Sequence, residues 1–526
     1  MIAEARTLDE LYRHGAASMP DRRLLVVSQV RPADLTLAQI HERGELAGAN
    51  LRRMGVGPGD VVAVQLPAWS EWLVAAVAVA RCGAVLLPVV SIYGAKELGF
   101  ILRQSQAKVL ITPDRFRKAD FGRIVADCES LPALRQHIVV GEGLADATSW
   151  SELERHCDSL APAQADPDAM AMLIYTSGTT ADPKGVRHLH RTLLAEIAAT
   201  AWQRRELEIE RVFSPWPPGH VAGAITLLRF LAGHTDLVLA DQWDQGSAAE
   251  LIERHAINSA SFTPFHLQGI LDAADRDGRD LSGLINCLVG AAPVPSGLIA
   301  RAQAHGLRPY RSYGSSEHPT VTAGNPGDPI AKRLGSEGRP TRGCEIAFVD
   351  EAGRFLPDGD EGELVTRGPE LFQGYLDPTL DAQAFLPGGW FRTGDIGRRD
   401  ADGYLVITDR IKDVIIRGGE NIYSREVEDV LFAHPAIAEA AVVAARDERL
   451  GEIVCAFVVV APGATPTLEG LRAYFNSAGI ARAKAPERLE IVSELPRNAT
   501  GKVLKHELRR IADGNPLPDG AAGTSA

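Results

Sequence analysis

Residues 175–188 read YTSGTTADPKGVRH: Thr176, Ser177, Thr179 and Thr180 surround Gly178, Asp182-Pro183 breaks the run, and Lys184-Gly185 closes it. Hydroxyl donors, the backbone N–H groups of a glycine-containing loop and one cation suit a polyanion, so the stretch reads as a phosphate cradle. A polar surface loop is the other reading these residues allow. The triphosphatase pattern G-x-x-x-x-G-K-[ST] does not fit, because the lysine precedes the glycine and no Ser or Thr follows it.

Larger elements must position such a cradle. A length of 526 residues allows two to four domains, and 45% hydrophobic with 23% charged residues is ordinary for a globular protein. The net charge of −13 argues against nucleic acid or an anionic membrane as main partner, so any bound anion needs a local site. Six scattered cysteines, with no C-x-x-C pair and no zinc-like spacing to histidine, fit a reducing cytoplasm. The opening MIAEARTLDELYRHG carries acids and no apolar core, unlike a secretory signal. The longest apolar run, WLVAAVAVARCGAVLLPVV, is broken by Arg81, Gly83 and Pro88, which predicts a buried helix followed by a strand and no membrane span.

The helical spacing of TLAQIHERGELAGANLRRMGV predicts a helix from Thr36 to about Gly55, and DVVAVQLP, KVLITP, HIVVGE, TDLVLAD and INCLVGAA read as strands. This alternation predicts an α/β fold. After Gly335 the text changes to turn-rich hairpins, a β-rich subdomain. Past Asp409, SREVEDVLFAHP (helix), IVCAFVVVAPG (strand) and TLEGLRAYFNSAGI (helix) predict a small closing α/β domain. The division expected is a large domain over 1–409, a lid over 410–512 with a hinge near Lys412, and a disordered tail over 513–526.

Behind the hydroxyl loop come, in order, YGSSEHP (313–319), GWFRTGD (389–395), DRIKDVIIRGGENIY (409–423) and PRNATGK (496–502). Together these motifs resemble the adenylate-forming superfamily of acyl-CoA synthetases, luciferases and peptide-synthetase adenylation domains, over nearly the whole chain. Two positions depart from the pattern: Ala181 stands where the family usually has Gly, and Ser316 where it usually has Thr.

The resemblance implies attack of a carboxylate on the α-phosphate of ATP, then transfer of the acyl group from acyl-AMP to CoA. Thr176, Ser177, Gly178, Thr179, Thr180 and Lys184 would handle the β- and γ-phosphates. Tyr313, Gly314, Ser315 and Ser316 would also bind ATP, the Tyr313 ring stacking on adenine and Ser316 bonding the α-phosphate. Glu317 would hold Mg²⁺, Asp395 and Arg410 would bind the ribose, and Lys502 would enter the active site when the lid closes. Lys412 is the expected hinge, and Gly418, Gly419 and Glu420 of RGGEN are the expected CoA contacts.

His220 stands where amino-acid-activating relatives carry Asp, and it resembles the gating aromatic or His of acyl-CoA synthetases. A simple carboxylic acid is therefore expected as substrate. With His220, the segments holding Phe262, Phe265, Gly290, Ala291, Ala292 and Val294 would line an apolar acyl pocket for an aliphatic, alicyclic or aryl acid. Two rival readings are a ligase that loads a carrier protein and a non-catalytic binding relative; Lys184, Glu317, Asp395 and Lys502 speak against the latter. The oligomeric state stays open, a homo-oligomer included.

Overall fold

The computed structural model describes residues 5–158, 161–164, 166–176, 183–199, 201–498 and 501–514. Most of the tail expected to be disordered thus lies outside the described residues. Two large sheets with parallel centres form the body. One runs Arg339–Pro340, Thr322–Ala323, Tyr310–Tyr313, Asn286–Val289, Ser259–Phe262, Arg211–Ser214, Asp236–Ala240, Arg23–Val27, Ala33–Thr36. The other runs Lys184–Leu189, Met170–Thr176, Val85–Pro88, Val61–Val64, Val109–Pro113, Gln136–Val140, Thr148–Ser149.

The predicted helix over the first apolar period is Leu37–Arg53, capped by Thr36 in a reciprocal box with Gln39. The long apolar run divides into helix Ser70–Arg81 and strand Val85–Pro88 as expected. Every residue of Ser70–Arg81 is buried, which a helix apolar on nearly all sides requires. Its Trp72, Leu73 and Val77 join a core that reaches both sheets through Val62, Ile111, Leu237 and Leu239. Among the described residues no helix is long and apolar enough to cross a membrane.

The turn-rich segment folds as antiparallel strands Glu345–Val349, Gly362–Arg367, Phe385–Leu386, Trp390–Arg399 and Leu405–Arg410. The chain leaves this sheet at Arg410, makes a 3-10 turn over Ile411–Asp413, and enters a last sheet of Ile415–Arg417, Glu420–Ile422, Ile437–Asp447, Gly451–Val460 and Arg488–Ile491. Helices Ser424–Phe432 and Leu468–Ser477 pack their Val427, Leu431 and Phe475 on one face of this sheet, and Leu508 of Lys505–Ala512 packs on the other.

Candidate active site

The two ends of the hydroxyl stretch stand side by side, because Met170–Thr176 pairs antiparallel with Lys184–Leu189 and sets Thr176 opposite Lys184. Ser177, Gly178, Thr179 and Thr180 lie outside the described residues. Periodicity does not reveal the first of these strands: MAMLIYT is one apolar run, as suits a strand covered on both faces.

Lys184 Nζ stands 5.3 Å from the centre of the Tyr375 ring, and the Tyr375 hydroxyl donates to Glu317 Oε1 at 2.8 Å. One ring therefore separates the loop's cation from the expected metal-holding carboxylate. Burial and the Glu317 charge hold the Tyr375 hydroxyl above the usual phenol range, so it remains a donor. The Glu317 turn is fixed from both sides. His188 Nε2 donates to the Ser316 carbonyl at 2.8 Å, and the His318 backbone N–H donates to Ser315 Oγ at 3.2 Å. Gly314 lies so close to the returning chain that a Cβ would sit 1.9 Å from the Pro319 carbonyl oxygen, which leaves room for glycine alone.

Asp395 and Arg410 face each other across neighbouring strands, with Arg410 Nε 2.8 Å from Asp395 Oδ1. The Tyr313 hydroxyl donates to the other oxygen of the same buried carboxylate at 2.5 Å. Tyr313 and Asp395 thus belong to one unit, although 82 residues separate them.

Lys502 reaches this region from the C-terminal domain. The Arg410 guanidinium, together with burial and Lys412, pushes its ammonium down to about 7 against the pull of Asp395 and Asp413. His220 feels the same charge: burial first, then Lys502, push its ring down to about 4. The ring is neutral near pH 7. Its Nδ1 accepts from the Ala222 N–H at 3.3 Å at the start of helix Val221–Leu231, so the ring proton lies on Nε2. Trp216 stacks on His220 with ring centres 5.4 Å apart, and Trp243 and His266 extend the aromatic group.

The expected wall of Phe262 and Phe265 does not form. Phe262 ends a strand with its side chain in the core beside Phe213, Val289 and Val294, at 0% exposure, and has no surface to offer a substrate. Phe265 lies three residues on, inside helix Pro264–Asp277, and turns toward the C-terminal domain. The Arg497 guanidinium stands 5.2 Å from its ring, and a Cβ at Gly501 would come within 2.9 Å of it. Sequence proximity does not imply a shared face where a strand gives way to a helix.

After Gly290, whose N–H donates to the Phe262 carbonyl at 3.0 Å, Ala291 is exposed with φ +62° and Ala292 is half-buried. An alanine in the left-handed region costs about 1–2 kcal/mol, more than the entropy glycine adds to the unfolded chain. Ala291→Gly is expected to stabilise the protein by about 0.5–1 kcal/mol. A melting temperature equal to or below that of the unaltered protein would refute the strain.

Gly418 and Gly419, at φ +58° and +90°, make the two-residue turn between Ile415–Arg417 and Glu420–Ile422. Gly418 N–H donates to the Leu450 carbonyl, Arg417 forms a fork with Glu487 at 2.8–2.9 Å, and Glu420 is exposed. The hairpin is thus tied to the C-terminal domain of which it is part. Lys412 lies in the 3-10 turn, with its carbonyl bound by Arg509 at 3.0 Å.

The roles of Tyr375 and His188 escape a reading of the sequence, because each acts through a partner far along the chain, Tyr375 through Glu317 and His188 through the Ser316 carbonyl.

A medium-chain fatty-acid–CoA ligase of Escherichia coli (strain K12) is 35% identical over 514 residues, covering 96% of this chain and 90% of that protein. The 3-[(3aS,4S,7aS)-7a-methyl-1,5-dioxo-octahydro-1H-inden-4-yl]propanoyl:CoA ligase of Mycobacterium tuberculosis (strain ATCC 25618 / H37Rv) is 34% identical over 529 residues, covering 97% and 100%. An anthranilate CoA ligase in complex with anthranoyl-AMP superposes with a TM-score of 0.86 at 25% identity, covering 96% of this chain and 97% of that one. Residues 12–376 match the family model of the AMP-binding enzymes and residues 426–502 that of the AMP-binding enzyme C-terminal domain, so the chain belongs to the family of AMP-binding enzymes.

Proposed function

We propose that this protein is an ATP-dependent, AMP-forming acyl-CoA synthetase whose acid has one carboxylate and a small to medium uncharged tail, aliphatic or alicyclic. The observation that carries the reading is that three cations, Lys502, Arg410 and Lys412, gather beside only two carboxylates, Asp395 and Asp413, on a chain of net charge −13. The α-phosphate of ATP and the attacking carboxylate supply the negative charge that such a site lacks.

In the first half-reaction a carboxylate oxygen bonds to the α-phosphorus, the bond to the bridging oxygen breaks, and pyrophosphate leaves. Lys502 offsets the charge that gathers between acid and phosphate. Lys184 and the hydroxyl loop receive the pyrophosphate, and Asp395 with Arg410 orients the ribose. Glu317 fits Mg²⁺, which takes one or two carboxylates together with phosphate oxygens and offsets their charge. Its carboxylate has one oxygen on Tyr375, and no lysine or arginine is bonded to it among the described residues. In the second half-reaction the CoA thiol loses its proton and attacks the acyl carbonyl, and AMP departs. Residues 410–512 act as the lid that serves both halves.

The neutral His220 gives a substrate ammonium no counter-charge. Arg311, the cation nearest in sequence to Tyr313, is buried 3.5 Å from Glu337 and is not free to hold a second carboxylate. An unpaired second charge in such a site costs several kcal/mol. The aromatic group of Trp216, Trp243 and His266 supports aryl acids as the second reading.

Pyrophosphate release and CoA thioester formation across matched monocarboxylates, dicarboxylates and amino acids test this proposal. Monocarboxylates are expected to lead by a decade or more, about 1.4 kcal/mol in transition-state binding. A lead for dicarboxylates or amino acids would overturn the acid class, and pyrophosphate release without thioester in the presence of CoA would favour a carrier-protein acceptor.

A further inference from the structure

Behind the Glu317 turn three buried side chains from separate segments converge: His318, Cys344 and Glu370, exposed by 1%, 8% and 1%. His318 Nε2 lies 3.3 Å from Cys344 Sγ, Sγ lies 3.1 Å from Glu370 Oε2, and Nε2 lies 3.7 Å from the same oxygen. Zinc takes nitrogen and oxygen at about 2.0–2.2 Å and sulfur at about 2.3 Å, and tetrahedral angles then set the ligand atoms about 3.3–3.6 Å apart. A point about 2 Å from all three atoms exists at the centre of this triangle.

Three further features suit an ion. Glu370 Oε1 is buried without a hydrogen-bond partner, so the carboxylate is only half satisfied. His318 Nδ1 lies 3.0 Å from Thr366 Oγ1, an outer contact that fixes the ring and leaves Nε2 to face the thiol. Gly368 leaves one face of the triangle uncovered, since a Cβ there would stand 3.0–3.1 Å from all three ligand atoms.

We propose that His318, Cys344 and Glu370 supply three ligands to one zinc ion, with water as the fourth, at a site distinct from the nucleotide site. Neutral imidazole, thiolate and carboxylate together carry two negative charges against a divalent cation, and the Cys344 thiol releases its proton on binding. The ion would pin the turn that carries Ser316 and Glu317 to the segments bearing Cys344 and Glu370.

The test uses the full chain without an affinity tag, incubated with zinc, desalted, and measured for metal content. About one zinc per chain is expected, falling below about a fifth in Cys344→Ser and Glu370→Gln, while Cys128→Ser retains it. Cobalt in place of zinc should give a thiolate charge-transfer band in the unaltered protein, and this readout needs neither a variant nor activity. No zinc in the unaltered protein, zinc retained in both site variants, or a cobalt spectrum without the thiolate band would each overturn the proposal.

Discussion

Lys502→Ala is expected to lower pyrophosphate release by about a thousandfold while the protein stays folded. One charge at about 4 Å and an effective dielectric near 20 is worth about 4 kcal/mol, and each 1.4 kcal/mol is about a decade of rate. Folding should survive because Lys502 is half-buried on a loop tied by its own N–H to Asn498 at 3.0 Å, not part of a core. The pH dependence separates the charge from the side chain's bulk. Arg410 and burial push Lys502 down to about 7 in the nucleotide-free site, so its charge is present below that pH and lost above it. The kcat/KM for ATP, which reports ionisations of the free enzyme, should therefore fall about tenfold per unit above pH 7. Bound phosphates restore the proton, so kcat should hold to higher pH. Lys502→Arg should remove the break, since arginine does not titrate there. A flat kcat/KM profile from pH 6 to 9 in the unaltered protein, or the same break in Lys502→Arg, would remove Lys502 from the role.

The residues that local sequence makes legible are those whose neighbours carry the signal. Thr36 before an apolar 3.6-residue period marks its helix, and TGD and YGSSE mark Asp395 and Glu317 because each short motif carries its signal within a few residues, the first on a strand and the second on a turn. What stays hidden depends on contacts between distant segments. Nothing near Tyr313 announces its bond to Asp395, and Arg311 finds Glu337 only after the chain has folded. Phe262 and Phe265 look alike in sequence and part company at a strand end. The cysteines look scattered for the same reason: Cys344 meets His318 across 26 residues of chain, and spacing rules address only ligands on one local motif.

If residues 410–512 act as the proposed lid, substitutions there separate the two half-reactions most clearly. Lys412→Pro is expected to reduce pyrophosphate release by no more than about tenfold and to abolish thioester formation from preformed acyl-AMP. Lys412 sits in the 3-10 turn Ile411–Asp413, and the φ usual for such turns, about −50 to −70°, includes the −65° that proline fixes. The modest loss comes from Ile411, which a following proline disfavours in a helical conformation. If residues 410–512 rotate as proposed, the backbone at this turn must change, and proline blocks any change that needs a different φ. The opposite defect is expected from Arg425→Met. Arg425, on the lid helix Ser424–Phe432, donates to the Ile407 carbonyl at 2.7 Å and pairs with Glu337 at 2.9 Å, and both partners belong to the body. Its loss leaves buried Glu337 to Arg311 and the Ile407 N–H, and removes a contact specific to this orientation. Adenylation should then fall by about tenfold, roughly 1.4 kcal/mol, less than for a buried ion left with no partner. Thioester formation from acyl-AMP should be spared. Rapid-quench measurement of each half-reaction in both variants distinguishes the patterns. Equal losses in the two halves for both variants would mean that the turn at Lys412 is not where the lid moves.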